Sequence, residues 1–396
     1  MDEIRGNMSW IDTTGFAMNE TQPASYPHRI LLAVTGLSPQ VVTETLFALA
    51  VTDDGMAPFV PTEIHIITTA EGAERARLAL LHEESGWFHR LRHDYALAPI
   101  QFDHTRIHML ESSSGEPLSD IRSKEDNECA ANLITETVRS LTVQNDSTLH
   151  VSIAGGRKTM GFYVAYALSL YGRPQDRLSH VLVSAPYESH PEFFYPTPHS
   201  KVIHSFPPDS RPYDAKDATI TLAEIPFVRL REGIPESLLE GRTPYSDVVT
   251  AAQRVTGPLS LLVDYLNGQV VAGGAEVPMS PAELAFYGML ARRALKQQDA
   301  LHSSDRDLEE LFLNEYVPLV GDEYSGYVKK VRERLQADFR AWFEERKARC
   351  NSALRKELGE VAARPYQIES FGGKPKTGAG LTVPVERIEI REISNE

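Results

Sequence analysis

The sequence predicts an α/β protein, with a mostly parallel sheet over residues 28–205 and a mainly helical C-terminal region. Three observations carry that class. Apolar runs of strand length alternate with stretches of helix length from residue 28 onward, the order that builds a parallel sheet with crossover helices. Two of the runs, Arg29–Val34 and Leu149–Ala154, are nearly continuous in apolar residues, as suits strands covered on both faces. Both pass through glycine straight into a helical pattern, at positions about 120 residues apart. In a parallel sheet such turns lie at the carboxyl edge of the strands, where ligands bind.

Taken in order, the strand candidates are Ile30–Val34, Glu63–Thr68, Arg106–Leu110, Leu149–Ala154 and His180–Ser184. The helix candidates between them are Val41–Ala50, Gly72–His82, Asp126–Leu141 and Thr159–Leu170. Proline-rich stretches at Tyr195–Pro198 and Phe206–Pro212 mark either a domain boundary or an ordered excursion. Residues 206–275 read as a connecting region, with a strand candidate in Ala218–Leu230, a helix candidate at Tyr245–Val255 and a hairpin at Leu261–Val271 around Asn267-Gly268. Ser280-Pro281-Ala282-Glu283 opens a helix, because it combines an N-cap serine, proline at the first helical position and a capping-box glutamate. Further helices are expected at Asp305–Glu315 and Gly326–Leu358, then a hairpin from Tyr366–Ser370 to Gly380–Val385. Hairpin, helices, then hairpin is the order of a winged helix, so residues 276–396 are expected to be winged-helix-like.

Composition narrows the function. The 396 residues are 42% hydrophobic and 24% charged, the values of an ordinary globular protein. The net charge of −15 argues against broad, nonspecific nucleic-acid binding but leaves room for a small anion held by local cations. Cys129 and Cys350 have no paired spacing, which disfavours a disulfide framework or a cysteine zinc site. No apolar stretch reaches membrane-spanning length, so no membrane association is expected. Residues 1–27 are polar, without the apolar core of a signal peptide, and read as a flexible tail on a cytoplasmic protein.

The chemistry concentrates at the two glycine turns. Ser38 precedes Pro39 and has two readings, an N-cap of the following helix or a group facing ligand at the sheet edge. Arg157 and Lys158 stand at a helix start, where cations oppose the helix dipole; they are either solvated or partners of an anion. Gly155 and Gly156 shape a tight turn and let an anion approach the backbone. Thr69 follows the second strand and is either a helix cap or a ligand contact, while Arg122 lies in a polar stretch, solvated or reaching phosphate. His89 and His93 are four apart but lack the adjacent acid of HExxH and a third ligand, so neither a metal site nor a cofactor is expected.

The segments Thr35-Gly36-Leu37-Ser38-Pro39-Gln40 and Ser152-Ile153-Ala154-Gly155-Gly156-Arg157-Lys158-Thr159-Met160 resemble the ligand motifs of CRISPR-associated Rossmann-fold (CARF) proteins, most closely the ring nuclease branch. The resemblance extends through Asp176-Arg177-Leu178-Ser179-His180 and Phe193-Phe194-Tyr195-Pro196 and covers about residues 28–200. It implies a Rossmann-like domain and a homodimer that binds cyclic oligoadenylate, with cyclic tetra-adenylate as the expected ring. A two-fold dimer offers the same patch to each half of such a ring. The resemblance further implies metal-independent cleavage, in which a ribose 2′-oxygen attacks the adjacent phosphorus and leaves 2′,3′-cyclic phosphate ends. The family's serine falls on Ser38 and its lysine on Lys158. Thr35, Gly36, Leu37, Gln40, Thr69, Arg122, Ala154, Gly155, Gly156, Arg157, Thr159 and Met160 are the implied ligand contacts. Arg157 departs from the family pattern, in which many relatives have a neutral residue.

Other effectors of the family fit less well. A HEPN ribonuclease needs Arg, four to six residues, then His; Arg77–His82 and Arg173–His180 match the spacing but fall inside the sheet domain. In the C-terminal third, Lys329–Arg334 and Arg346–Lys356 are basic but interleaved with acids, which favours a solvated surface or dimer module over a DNA reader. The alternative to the enzyme is a non-catalytic sensor whose winged helix regulates transcription or recruits a partner.

Overall fold

The computed structural model describes residues 22–52, 55, 57–205, 208, 210–241, 243–255, 257–302, 305, 307–321, 324–372 and 377–393. Most of the expected tail, residues 1–21, lies outside them. The chain divides into two units, the first running to Val228 except for Ser169–Tyr171, which belong with Arg229 onward in the second.

The first unit holds β1 (His28–Val34), α1 (Gln40–Ala50), β2 (Glu63–Thr68), α2 (Ala70–Leu80), α3 (Trp87–Asp94), β3 (Ile107–Met109), α4 (Lys124–Leu141), β4 (Ser147–Ser152), α5 (Lys158–Tyr171) and β5 (Arg177–Val183). A short hairpin, β6 (Val202–His204) and β7 (Pro212–Asp214), precedes β8 (Ile220–Glu224). The sheet order is β3-β2-β1-β4-β5-β8; the first five strands run parallel and β8 pairs antiparallel with β5. This is the expected Rossmann-like, mostly parallel sheet. Its strands read as apolar runs because both faces are covered: Leu31, Ala33, Ile64 and Ile66 pack in one cluster with Leu46, Ala76, Leu80, Phe88 and Leu91. The intervening Leu32, Val34 and Ile67 are also fully buried, as the period-two alternation of a strand places them on the other face.

The strands β6 and β7 pair on either side of the Phe206–Pro212 stretch, of which residues 206, 207 and 209 lie outside the described residues. The expected connecting region 206–275 is not one piece. Its strand candidate became β8, which covers the open edge of β5 and extends the first unit beyond residue 205; pairing relieves an otherwise exposed strand edge.

In the second unit follow α6 (Glu236–Glu240), α7 (Tyr245–Arg254), β9 (Leu261–Asp264), β10 (Gln269–Ala272), β11 (Ala275–Pro278), α8 (Pro281–Leu295) and β12 (Leu301–His302). Then come α9 (Leu308–Val320), α10 (Gly326–Ala337), α11 (Phe339–Leu358), α12 (Glu360–Ala363), β13 (Glu369–Phe371), β14 (Gly378–Gly380) and β15 (Ile388–Arg391). The Asn267-Gly268 hairpin forms, and Asp264 fastens its loop by accepting from the Asn267 side chain at 2.8 Å. The capping box at Ser280 and Glu283 is present in full. The single helix expected over Gly326–Leu358 is two, because Asp338 leaves helical geometry and its carboxylate caps the Ala341 amide at 3.0 Å. The two sheets here have orders β11-β10-β9-β15 and β12-β14-β13. No helix among the described residues is long and apolar enough to cross a membrane.

Candidate functional site at the strand-order reversal

From β1 the chain winds out to β2 and β3; β4 then returns to the other side of β1 and β5 continues outward. The order therefore reverses between β1 and β4, and a crevice opens at the carboxyl ends of such a strand pair. Ala33 pairs with Ser152, so the two glycine turns leave the sheet side by side. A Cβ built on Gly36 would lie 3.5 Å from Gly156 Cα, and one on Gly155 would lie 2.8 Å from the Val34 carbonyl oxygen. Gly156 has φ +79, which side-chain-bearing residues rarely adopt. Sequence separation is thus converted into van der Waals contact.

In the first turn, the Thr35 amide donates to the Ile67 carbonyl at 3.0 Å while its hydroxyl is buried with no partner among the described residues. Leu37 is 47% exposed, and Ser38 is exposed as well. Of the two readings of Ser38, the cap does not form. The cap position belongs to Pro39, with no side-chain hydrogen bond, and the helix starts one residue later at Gln40. Gln40 donates from Nε2 to the Pro191 carbonyl at 3.3 Å, and its Oε1 is buried without a partner among the described residues. The Thr68 hydroxyl, at the end of β2, is in the same condition.

In the second turn Arg157 is the cap residue of α5 and supplies no side-chain cap; the Met160 amide donates to the Arg157 carbonyl at 2.9 Å, and the Lys158 and Thr159 amides have no partner among the described residues. Lys158 and Thr159 are exposed, and Lys158 makes no ion pair or hydrogen bond among the described residues. Ala154 is half-buried. Met160, an implied ligand contact, is fully buried, with Sδ 3.3 Å from the place a Cβ on Gly156 would occupy. It supports the turn from below. The neighbouring helices differ from α1 and α5. Thr69 caps α2 by accepting from the Gly72 amide at 3.3 Å, and Ser123 with Asp126 closes a capping box on α4.

Arg157 is exposed but not unpaired. Its Nε donates to Asp120 Oδ1 at 2.9 Å, and a second guanidinium nitrogen contacts Asp120 Oδ2. Arg122, 77% exposed, lies 3.5 Å from the same Oδ2. These contacts, Arg157 foremost, hold the Asp120 carboxyl below the usual carboxylate range. Two further residues carry no functional reading from the sequence. Arg75 reaches the Leu37 carbonyl at 3.5 Å and pairs with Glu71. Glu44, one turn beyond Gln40, is only 6% exposed and has no ion pair. Burial, reinforced by Glu188, pushes its carboxyl up to about 7. The available signal was a single charged residue inside the helix candidate Val41–Ala50.

The outlying parts of the motif are structural. Asp176 is fully buried and accepts from the Leu149 amide at 2.9 Å and from Arg173. Ser179 Oγ lies 2.7 Å from His150 Nε2, with both side chains buried. Phe194 stacks on Trp87 at 4.7 Å, and Tyr195 donates to Asp94 at 2.9 Å.

The arrangement suits a phosphodiester. It offers two glycine turns that admit close approach, two uncapped helix starts and the point charge of Lys158. Among the described residues, no group of three or more His, Cys, Asp or Glu is placed to hold a metal ion. Close packing makes one glycine a sensitive probe. A Cβ on Gly72 would lie 2.0 Å from Thr68 Oγ1 and 2.6 Å from the Gly36 carbonyl oxygen, so Gly72→Ala is expected to cost about 1–3 kcal/mol. A melting temperature equal to wild type would contradict this packing.

Over residues 38–258 the chain matches the family described as CRISPR-associated protein NE0113. No curated protein matches it. Among solved structures, Enterococcus italicus Csm6 bound to cyclic hexa-2′-fluoro-hexa-dAMP is similar at a TM-score of 0.24 and 12% identity, over 40% of this chain and 34% of that one. The match thus spans about a third of that neighbour's length.

Proposed function

The chain belongs to the CRISPR-associated NE0113 family, and from that premise we propose that it is a ring nuclease of a type III CRISPR system. It binds cyclic oligoadenylate, with cyclic tetra-adenylate as the preferred ring, and cleaves it without metal to switch off the signal. The observation that carries the reading is the meeting of the two uncapped glycine turns at the strand-order reversal, with Lys158 free of any carboxylate among the described residues. Lys158 stabilises the charge that develops on phosphorus or protonates the leaving 5′-oxygen. Ser38, exposed and released from capping, orients the 2′-hydroxyl or donates to a phosphate oxygen. Neither residue has a general base beside it in sequence, so catalysis rests on positioning and is slow. The proposed setting is cytoplasmic, and the proposed unit is a homodimer. Phe162 on α5, 61% exposed and stacked with Tyr166 at 5.9 Å, supplies apolar surface for it.

The decisive experiment incubates purified protein with cyclic tetra-adenylate and cyclic hexa-adenylate in EDTA and separates the products. Linear fragments ending in 2′,3′-cyclic phosphate are expected. Lys158→Ala is expected to slow cleavage more than about tenfold, near the low end of positioned acid–base effects; full activity in that variant would remove its role. A ring that stays intact but co-elutes with the protein favours the second reading, a non-catalytic sensor. One feature of the second unit favours that reading. Helices α8, α9 and α10 precede β13 and β14 of the small sheet β12-β14-β13, an order that supports reading this unit as winged-helix-like. In the sensor, that unit regulates transcription or recruits a partner.

A further inference from the structure

Arg157 departs from the family pattern, and the structure pairs it with Asp120. The carboxylate meets the guanidinium through both oxygens, the fork geometry that two non-bridging phosphate oxygens also present. Asp120 Oδ1 additionally accepts from the Ile121 amide at 2.8 Å, and Arg122 Nε lies 3.5 Å from Oδ2. The acid is borne on the strap between β3 and α4. That strap is tied to the site two residues earlier, where the Leu118 carbonyl accepts from the Ala70 amide at 2.8 Å. Asp120 is therefore set across the start of α5 from a separate segment.

We propose that Asp120 is a resident counter-anion, which holds Arg157 until a phosphodiester of the ligand takes its place, so that binding exchanges one carboxylate for one phosphate. This rests on the reading of the glycine turns as a phosphodiester site. The exchange sets a threshold for occupancy. Only a ligand that delivers its phosphate to Arg157 while its other parts engage the two turns displaces the acid, whereas a lone anion gains little over the carboxylate already there. Arg122, which also faces Asp120, keeps the released carboxylate paired.

The test compares binding of cyclic tetra-adenylate by wild type, Asp120→Asn and Asp120→Glu at fixed ionic strength. Asp120→Asn is expected to bind about three- to fivefold tighter, the scale of one exposed ion pair released. Asp120→Glu keeps the competing charge and is expected to stay near wild type. A purely structural role for the pair predicts equal or weaker binding in Asp120→Asn, and that result would overturn the proposal while leaving the phosphodiester site standing. If wild type retains no ring, the same proteins are titrated with inorganic tripolyphosphate. Tighter binding by Asp120→Asn there keeps the exchange and removes the ring as ligand; no tightening overturns both.

Discussion

Replacing Asp176 by alanine is expected to cost the first unit about 3–5 kcal/mol, the usual penalty for stranding one member of a buried ion pair. Asp176 is fully buried and Arg173 is 5% exposed. The carboxylate accepts from the Arg173 amide at 2.7 Å, from its Nε at 3.0 Å and from a terminal guanidinium nitrogen at 2.9 Å, as well as from the Leu149 amide. Arg173 also donates to Ser147 Oγ at 3.0 Å and to the Gln144 carbonyl. The pair thus pins the start of β4 to the turn before β5. Alanine leaves a guanidinium in the interior and frees the Leu149 amide. Urea unfolding gives the measurement: an unfolding free energy that falls by less than about 1 kcal/mol would mean the network is not buried as described. A double variant, Arg173→Met with Asp176→Leu, is expected to recover much of the loss, because hydrophobic replacement of a buried pair is often neutral.

Glu44→Gln is expected to stabilise the protein by about 3 kcal/mol at pH 8 and to change little at pH 5. Burial, then Glu188, raises the native carboxyl to about 7, against 4.5 for the free side chain. The native state therefore holds the proton more tightly than the unfolded chain. Stability from this group is fully present below the unfolded value and is lost as pH rises through 7. A shift of that size corresponds to about 1.4 kcal/mol per pH unit across the window. Glutamine removes the titration. Melting temperatures of the two proteins at pH 5, 6, 7 and 8 should diverge steadily; parallel curves would show that Glu44 is not buried in its neutral form.

The sheet was legible because burial on both faces writes itself as apolar runs, and Leu31–Val34 and Leu149–Val151 carry no competing pattern. The glycine turns were legible for a related reason. A Cβ on Gly155 would lie 2.8 Å from the Val34 carbonyl oxygen at the end of β1, and Gly156 adopts φ +79, which side-chain-bearing residues rarely reach. Three features could not be read. The helix α3 is too short for its two buried residues, Phe88 and Leu91, to establish a period. The strand β8 was a candidate within Ala218–Leu230, but its antiparallel place beside β5 comes from the unpaired edge of that strand, a tertiary fact. The attachment of Arg157 to Asp120 joins residues 37 apart in sequence through two loops; charge alone left Arg157 solvated or bound to ligand, and the structure supplied a third partner. Ser38 shows the opposite limit. Ser-Pro is a sound local cap signal, and here the chain turns one residue later and leaves the hydroxyl exposed.

The pairing of β1 with β4 has a consequence for when the site exists. Neither turn closes on its own, since Gly36 is shaped by Gly156 and Gly155 by Val34. Their union waits for a contact between distant parts of the chain, the kind of contact that slows folding because loop entropy is lost first. A ribosome must therefore have released residue 160 before any ligand can be held, and an opening of the sheet between these two strands dissolves the site at once. Occupancy then acts as a clasp on the whole first unit, stabilising it in proportion to the logarithm of ligand concentration.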